Sequence, residues 1–593
     1  VKKGLNENMN KTKVVCTLGP ATAEDSVLRE LMRSGMNVAR QNFSHGDHES
    51  HRKTFEQVKR LREELNLPIA SLLDTNGPEV RVKTFKEGKV TLTDKQTFTL
   101  TTEDVEGTAE VVSITYKGLA NDIDIGARIL LDDGLIELKV VDIVQLDSGE
   151  DWDIVTHVVH GGVLSNRKSA NIPGVSLSLP YISKRDREDI IFGAQLGFDY
   201  IAASFVECDE DILEIRRILA DCGCPDVRII AKIENQEGVD NIEDIIRASD
   251  GIMVARGDMG VEIAFEELPR IQKELIKKAY FAGKPVITAT QMLESMIVKP
   301  RPTRAEATDV ANAVYDGTSA IMLSGETAAG AHPIEALRTM VKIAEKTENN
   351  IDYTKRFRTL ECDLGANVTN AIAHATVTTA LDLNAEAILT LTHGGNTARL
   401  LSKFRPCRHI LGCTPSEKTW RQLGLSWGVV PVLTEEKHGT YDELLHHAVD
   451  RAVEEGFLEN GDLVVITAGV PLGVSGTTNL MKVQTVGDVL VSGTGATQKS
   501  VTAPLCVALT DEEAIERFEK GDILVIPKTD NALMSVLRSA AGLIVEEEGL
   551  ESHAAIVGLT LDIPVIVGAE NATKILKSGV TVTMDAKKGM VLN

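Results

Sequence analysis

The sequence predicts an α/β protein: a (β/α)8 barrel with an inserted all-β lid domain, a C-terminal α/β domain and an extra C-terminal domain. Three observations carry that reading. Between Lys11 and about Asn350, a short apolar run ending in polar residues alternates eight times with a helical stretch. Between about Gly77 and Pro180 the pattern changes to period-two alternation. Beyond Asn350 strand and helix alternate again, until Gly-rich text at Val491–Gln498 sets off the tail.

The eight runs are Thr12–Gly19, Asn37–Ser44, Ile69–Thr75, Tyr200–Val206, Arg228–Glu234, Gly251–Asp258, Pro285–Met292 and Ser319–Glu326. Continuous Val, Ile, Leu and Ala in strands separated by helices means a parallel sheet buried on both faces. Eight such units predict closure into a barrel. Most units start 23 to 34 residues apart, but 131 separate Ile69 from Tyr200. The excess alternates as KVTLTD, FTLTT, VVSITY and ILLDDGLIEL, with a hairpin signal at Asp133-Gly134. An all-β domain inserted after the third strand, at the end where barrels do chemistry, is a candidate lid.

After the barrel, Asn367–Asp382 reads as helix and Glu386–Thr392 as strand. Gly394–Lys403 opens a helix, and Arg408–Thr414 and Val429–Leu433 read as strands. Thr440–Glu455 reads as helix and Asp462–Gly469 as strand. The expected domains are therefore residues 11–76 with 181–350 (barrel), 77–180 (lid), 351–488 (α/β) and 489–593 (tail). A length of 593 residues fits four domains at about 150 each.

Composition limits the functions open to the chain. With 63 Lys+Arg against 87 Asp+Glu the formal charge is −24, which argues against wrapping nucleic acid or lying on an anionic membrane. No apolar run reaches the 18 residues of a membrane span. The segment Val1–Asn10 lacks a signal-peptide core, and Met9 could be the native start. Eight scattered cysteines without a CxxC pair, Cys222-Gly-Cys224 being too tight for a zinc knuckle, predict reduced thiols and a cytoplasmic protein.

Polar residues gather where the strands end: Arg40, Asn42 and Ser44; Asp74; Lys232 and Glu234; Arg256 and Asp258; Thr290; Ser324 and Glu326. Residues i and i+2 of a strand share a face, so Lys232 and Glu234 point together into the barrel mouth. Glu234 with Asp258 supplies the two carboxylates that suit Mg²⁺, and Lys232 can balance charge on a moving phosphoryl group. A buried salt bridge is the plainer alternative. The turn Ala255-Arg-Gly-Asp-Met-Gly260 lets backbone N–H groups approach an anion. Arg40 and Arg81 add cationic reach. Asn42, Ser44 and Asp74 are hard oxygen donors that would suit a monovalent cation, although turn-capping hydrogen bonds explain them as well. Thr290 could position a water or a substrate oxygen. These residues describe a cleft for a phosphorylated small acid and a divalent metal.

Six segments are similar to signature segments of the pyruvate kinase family: NVARQNFSHG (37–46), LLDTNGPEVR (72–81), IAKIEN (230–235), MVARGDMGVE (253–262), VITATQML (286–293) and MLSGETA (322–328). The likeness runs from about Lys11 to Val486, with the insertion in the same place. It implies phosphoryl transfer from phosphoenolpyruvate to ADP, with Mg²⁺ and K⁺, in a homotetramer. Residue by residue it implies that Lys232 stabilises the phosphoryl group and the enolate, and that Glu234 and Asp258 bind Mg²⁺. Arg40, Lys232, Gly257, Asp258 and Thr290 would contact phosphoenolpyruvate. Asn42, Ser44, Asp74 and Thr75 would bind K⁺, with Glu79 at the position linked to potassium dependence. Asn42, Phe43, Ser44, His45, Arg81 and Lys168 would contact the nucleotide.

The chain departs from the family pattern at Gln41 (usually Leu), Asn76 (usually Lys), Ser169 (usually Gly) and Ala264 (often Pro). Asn76 puts nucleotide affinity and lid closure in question. The turn Thr392-His-Gly-Gly-Asn-Thr-Ala-Arg399 could hold a phosphate, and the family places a sugar-phosphate effector in the matching loop. That makes Thr392, Gly394, Gly395, Asn396, Thr397 and Arg399 candidates, against a plain turn between strand and helix. The tail segment 549–558 (GLESHAAIVG) resembles the swivelling phosphohistidine domain of phosphoenolpyruvate-utilising enzymes. Glu551 stands where that family has Thr and would repel a phosphoryl group on His553, so a structural or regulatory tail is expected. His45, His48 and His51, and the pair His446-His447, read as loop, helix or core residues rather than metal ligands. Two rivals stand beside the kinase: a phosphotransferase acting through His553, and a non-catalytic homologue that binds phosphorylated ligands.

Overall fold

The computed structural model describes residues 10–147, 149–359, 367–436, 440–469, 478–487 and 489–592; Met9 lies outside them. The chain forms two compact units, one of residues 10–370 and 392–433, the other of residues 371–391 and 434–592.

In the first unit eight parallel strands close a barrel. They are β1 (Lys13–Thr17), β2 (Val38–Asn42), β3 (Ala70–Asp74), β4 (Tyr200–Ala203), β5 (Arg228–Ile233), β6 (Gly251–Ala255), β7 (Val286–Ala289) and β8 (Ala320–Leu323). Each lies within its expected run, and each pairs with its sequence neighbours. β1 closes the ring on β8 through Val14↔Ile321 and on β2 through Cys16↔Ala39. The strands are buried almost throughout, as a sheet covered on both faces requires.

Alternate residues fill the barrel interior: Val15, Val38, Leu72, Ala202, Ile230, Met253, Ile287 and Met322. Leu425, fully buried, joins the same cluster. Two residues past each of these inward positions the chain reaches the C-terminal rim. The pleat that builds the core therefore delivers Thr17, Arg40, Asp74, Ser204 and Lys232 to the mouth.

Between β3 and β4 the inserted segment forms a six-stranded sheet in the order 170–171, 128–131, 136–145, 152–160, 97–101, 111–113, with a separate pair of 89–92 and 162–165. It has its own core around Phe98, Leu100, Ile129, Leu138 and Ile154. The Asp133-Gly134 signal marks a hairpin in which Asp132, Asp133 and Gly134 all have positive φ. Ser169 braces that turn, its hydroxyl accepting from Asp133 N at 3.3 Å. The first unit also holds the parallel pair His409–Thr414 and Val429–Leu433.

In the second unit Ala387–Leu391 pairs parallel with Leu463–Gly469, which pairs antiparallel with Thr478–Thr485. The tail adds an eight-stranded mixed sheet whose centre is the parallel run 500–507, 523–526, 542–545 and 565–567. Lys588 ties the tail to the loop before Leu463, donating to Asn460 O and reaching Asp462, both at 2.9 Å.

Candidate active site

At the centre of the barrel mouth lies Lys232. Its Nζ is 2.9 Å from Glu234 Oε1 and donates to Ser204 Oγ at 2.7 Å and Asp74 Oδ1 at 3.1 Å. Arg40 shares the same aspartate, Nε donating to Asp74 Oδ2 at 2.7 Å, and Nη1 donates to Thr17 Oγ1 at 2.8 Å. All these groups are buried. Burial alone would pull a proton off Lys232, but Asp74, Glu234 and Asp258 outweigh it and hold the ammonium charged above its usual range. Burial likewise pushes Asp74 up, and Arg40 with Lys232 more than reverses this.

Glu234 is the exception. Buried, with the Asp258 charge adding to the burial penalty, it is pushed up to about 8 despite Lys232. Its Oε2 accepts from Phe205 N at 2.6 Å. Its Oε1 is out of line for a hydrogen bond from Lys232 and has no other partner. A buried carboxylate oxygen with spare acceptor capacity, near a second carboxylate, fits a hard divalent cation that keeps waters and substrate oxygens as its other ligands. Among the described residues no group of three or more His, Cys, Asp or Glu forms a metal cage.

Thr290 and its neighbour Gln291 have φ of 66° and 55°, unusual for residues with a Cβ. The strained turn is held from behind by Arg256, which donates to Ala289 O and Thr290 O and pairs with Asp309 at 2.7 Å. Arg256 is thus a brace at the rim. Gly257 N donates to Thr290 Oγ1 at 2.7 Å, so this amide, expected to face an anion, is already engaged. Glu326 is also structural: buried, it accepts from Leu293 N and Ser324 N.

Asn42 Oδ1 accepts from Ser44 N at 3.1 Å, a turn cap. Thr75 Oγ1 donates to Ala202 O and accepts from Ser204 N. Phe43 departs from its expected role. Its ring is 1% exposed and stacks on His51 at 3.8 Å, so the side chain belongs to the core and cannot touch a nucleotide. Its backbone N and O are bonded to Asp74 O and Arg185. His45 is exposed, and its carbonyl accepts from His51.

On the lid, Arg81 Nε and Nη2 both donate to Glu79 Oε2, at 2.9 and 2.5 Å, and Lys168 pairs with Asp132 at 2.6 Å. Asn171 reaches the rim, donating to Glu262 at 2.9 Å. Asn76 and Gly77 donate their backbone N–H groups to Asp186 Oδ1, each at 3.2 Å. The lysine absent at position 76 is not needed to neutralise Asp74, which already has Arg40 and Lys232.

Two residues at the hub, Ser204 and Thr17, escape the sequence reading. Both lie two positions beyond inward-facing core residues, and that period-two count would have found them.

Three family models match along the chain. The barrel-domain model of pyruvate kinase matches residues 9–337, and the pyruvate kinase alpha/beta domain matches residues 370–484. The mobile domain of PEP-utilising enzymes matches residues 518–589. A pyruvate kinase of Bacillus licheniformis is 49% identical over 98% of this chain and 99% of its own length. One from Geobacillus stearothermophilus is 50% identical over 98% of each. The crystal structure of a pyruvate kinase from Cryptosporidium parvum is similar at a TM-score of 0.75 and 39% identity, over 82% of this chain and 98% of that one.

The chain belongs to the pyruvate kinase family. It is a phosphotransferase, with the family's barrel and α/β domains followed by a phosphohistidine-type tail.

His48 and His51 pack against their neighbours. His48 pairs with Asp189 at 2.6 Å and stacks on Phe192. His51 sits against Gln41, whose amide, with its nitrogen toward His51, lets the oxygen accept from Phe55 N. That accounts for a glutamine where the family usually has leucine. In the α/β domain, Thr392 Oγ1 accepts from Gly395 N at 3.0 Å, and Gly395 has φ +80°. Arg399 folds back onto Gly394 O and Asn396 Oδ1, and Arg228 also donates to Gly394 O. In the tail, His553 has both ring nitrogens occupied, Nδ1 by Thr529 Oγ1 at 3.0 Å and Nε2 by Asn531 Oδ1 at 3.3 Å. Among the described residues no helix is long and apolar enough to cross a membrane.

Proposed function

We propose that this pyruvate kinase works at the β2–β7 rim with Lys232 as its central cation, Mg²⁺ on Glu234 and Asp258, and K⁺ beside Asn42, Ser44, Asp74 and Thr75. The observation that carries the proposal is the Lys232 hub: one ammonium within 3.1 Å of Asp74, Ser204 and Glu234. A divalent ion bound there supplies neutralisation of phosphoryl oxygens. The rest is done by the chain. Arg40 and Lys232 are already desolvated and oriented by Asp74, so they meet the anionic substrate without reorganising. Lys232 balances charge on the phosphoryl group in transit and then on the enolate. Gly257, Asp258 and Thr290 position phosphoenolpyruvate, and a water beside Thr290 delivers the proton to carbon.

ADP is contacted by Asn42, Ser44, His45 and, from the lid, Arg81 and Lys168. For the two lid cations this means exchanging their present carboxylate partners for phosphate. The working domains are 11–76 with 181–350, 77–180, 351–488 and 489–593. The enzyme is cytoplasmic and homotetrameric. The Thr392–Arg399 turn takes a sugar phosphate or nucleotide effector, and the tail is structural or regulatory.

Binding of Mn²⁺, used as a paramagnetic stand-in, tests the metal assignment. Glu234→Gln and Asp258→Asn should each weaken it about 10–100-fold or more. Unchanged affinity in both would remove the assignment. For the monovalent site, turnover should be high in potassium and low in sodium; equal rates would reject it.

A further inference from the structure

A cleft of about 480 Å³ lies where the lid joins the barrel, a size that accommodates a small molecule. The two chain crossings between lid and barrel supply Val80, Ile172, Val175 and Leu177, and the rings of Tyr181 and Phe205 add to this apolar lining. The segments that follow β4 and β5 supply Glu207, Asp211, Glu237 and Asp240, and Glu79 and Glu262 complete the acidic lining. None of the described lining residues is Lys, Arg or His. An anionic substrate therefore has no cation to meet here, which sets the cleft apart from the phosphate-handling mouth around Lys232.

The carboxylates are the informative groups. Glu79 pairs with Arg81, and the others have no cationic partner among the described residues. Asp211 serves as a local cap, accepting from Glu207 N at 2.9 Å and Cys208 N at 3.1 Å, and Glu262 accepts from Asn171. Asp240 accepts only from the neutral Gln236 amide, at 2.7 Å. Glu207 is half-buried, and its Oε1 accepts from Asn235 Nδ2 at 2.9 Å. Burial, reinforced by the charges of Glu237 and Asp211, pushes Glu207 up to about 7, as befits a carboxylate without a counter-charge. Among the described residues no three of these groups converge as a metal cage requires. The negative charge is spread along an apolar-walled cleft rather than gathered at one point.

We propose that this cleft binds an aliphatic polyamine, its methylene segments along Val175, Leu177 and the Phe205 ring and its ammonium groups on Glu207, Glu237 and Asp240. A compact metal ion would leave the apolar wall uncovered, and a neutral apolar molecule would bury carboxylates without a partner. A chain that alternates hydrocarbon with ammonium satisfies both linings, and the faces of Tyr181 and Phe205 add attraction for a cation. The occupant would also touch a turn that matters to the active site. Phe205 has φ +53°, unusual for a bulky side chain, and its N–H holds Glu234 Oε2 at 2.6 Å. A polyamine against that ring therefore bears on the carboxylate assigned to the divalent ion, while Lys232 lies outside the cleft's lining.

Calorimetric titration of the full-length protein with spermidine, in saturating Mg²⁺, tests this. Saturable binding is expected, weakened about 3-fold or more in each of Glu207→Gln, Glu237→Gln and Leu177→Ala. Octanediol, a chain of similar length without charge, should not bind. In the wild-type protein, where no variant has to fold, spermidine should slow amide hydrogen exchange across residues 172–179 and 235–240. No saturable binding in saturating Mg²⁺ would overturn the proposal. Unchanged affinity in both glutamine variants or in Leu177→Ala would do the same, because spermidine would then be reading the acidic surface at large. So would octanediol binding as well as spermidine, or exchange in those two segments that spermidine leaves unchanged.

Discussion

Lys232 stays charged because Asp74, Glu234 and Asp258 outweigh its burial, and Asp74 stays ionised in its buried position because of Arg40 and Lys232. Replacing it breaks both halves of that balance. Lys232→Met should lower kcat by about 10³-fold, as loss of one preorganised charge in a dry site does, with a smaller change in KM for phosphoenolpyruvate. Near-normal turnover would mean that another group carries the transition-state charge. At this scale the sequence was most legible where strand ends and period-two counting applied: Arg40 and Asp74 lie at their strand ends, and Lys232 and Glu234 meet as the count puts them. It was least legible for Phe43, whose position within a signature segment says nothing of which way the ring turns. The ring turns inward because Phe198 and His51 offer it apolar contact.

All eight barrel strands were readable because both faces of each are buried, leaving unbroken apolar runs. The lid's short, half-exposed strands were readable only as alternation, which does not specify their order in the sheet. The passage from β3 into the lid turns on Gly77, at φ +77°. A Cβ there would lie 2.9 Å from both Ser204 Cβ and the Phe205 ring. Gly77→Ala should therefore cost about 1–3 kcal/mol in urea unfolding and reduce kcat by disturbing Ser204, a Lys232 partner. Unchanged stability and rate would show that the crossing has slack and that Ser204 is not held by it.

Across the first unit, His409 sets an acid limit. Burial, reinforced by Lys11 and Lys13, pulls it from 6.5 down to about 4. It is neutral in the folded protein and takes up a proton on unfolding. Its contribution is complete above pH 6.5, is lost as pH falls through 6.5 towards 4, and is level below that. The full span is at most about 3 kcal/mol. His409→Phe should flatten stability between pH 6.5 and 4, measured by denaturant midpoints; an unchanged slope would assign the acid sensitivity elsewhere. The net charge of −24 argues against nucleic-acid and membrane partners only on average, because the folded chain gathers Arg40 with Lys232 at one end of the barrel and Arg405 with its neighbours at the other. Nothing in composition foretold that separation, which comes from closing a parallel sheet so that strand starts and strand ends face opposite ways. The most direct test of the whole account is pyruvate and ATP formation from phosphoenolpyruvate and ADP, with Mg²⁺ and K⁺ present. Equal amounts of both products are expected, formed at a rate that collapses in Lys232→Met. No pyruvate with the full set of ions, or acid-labile phosphate on His553 formed from phosphoenolpyruvate without nucleotide, would contradict it.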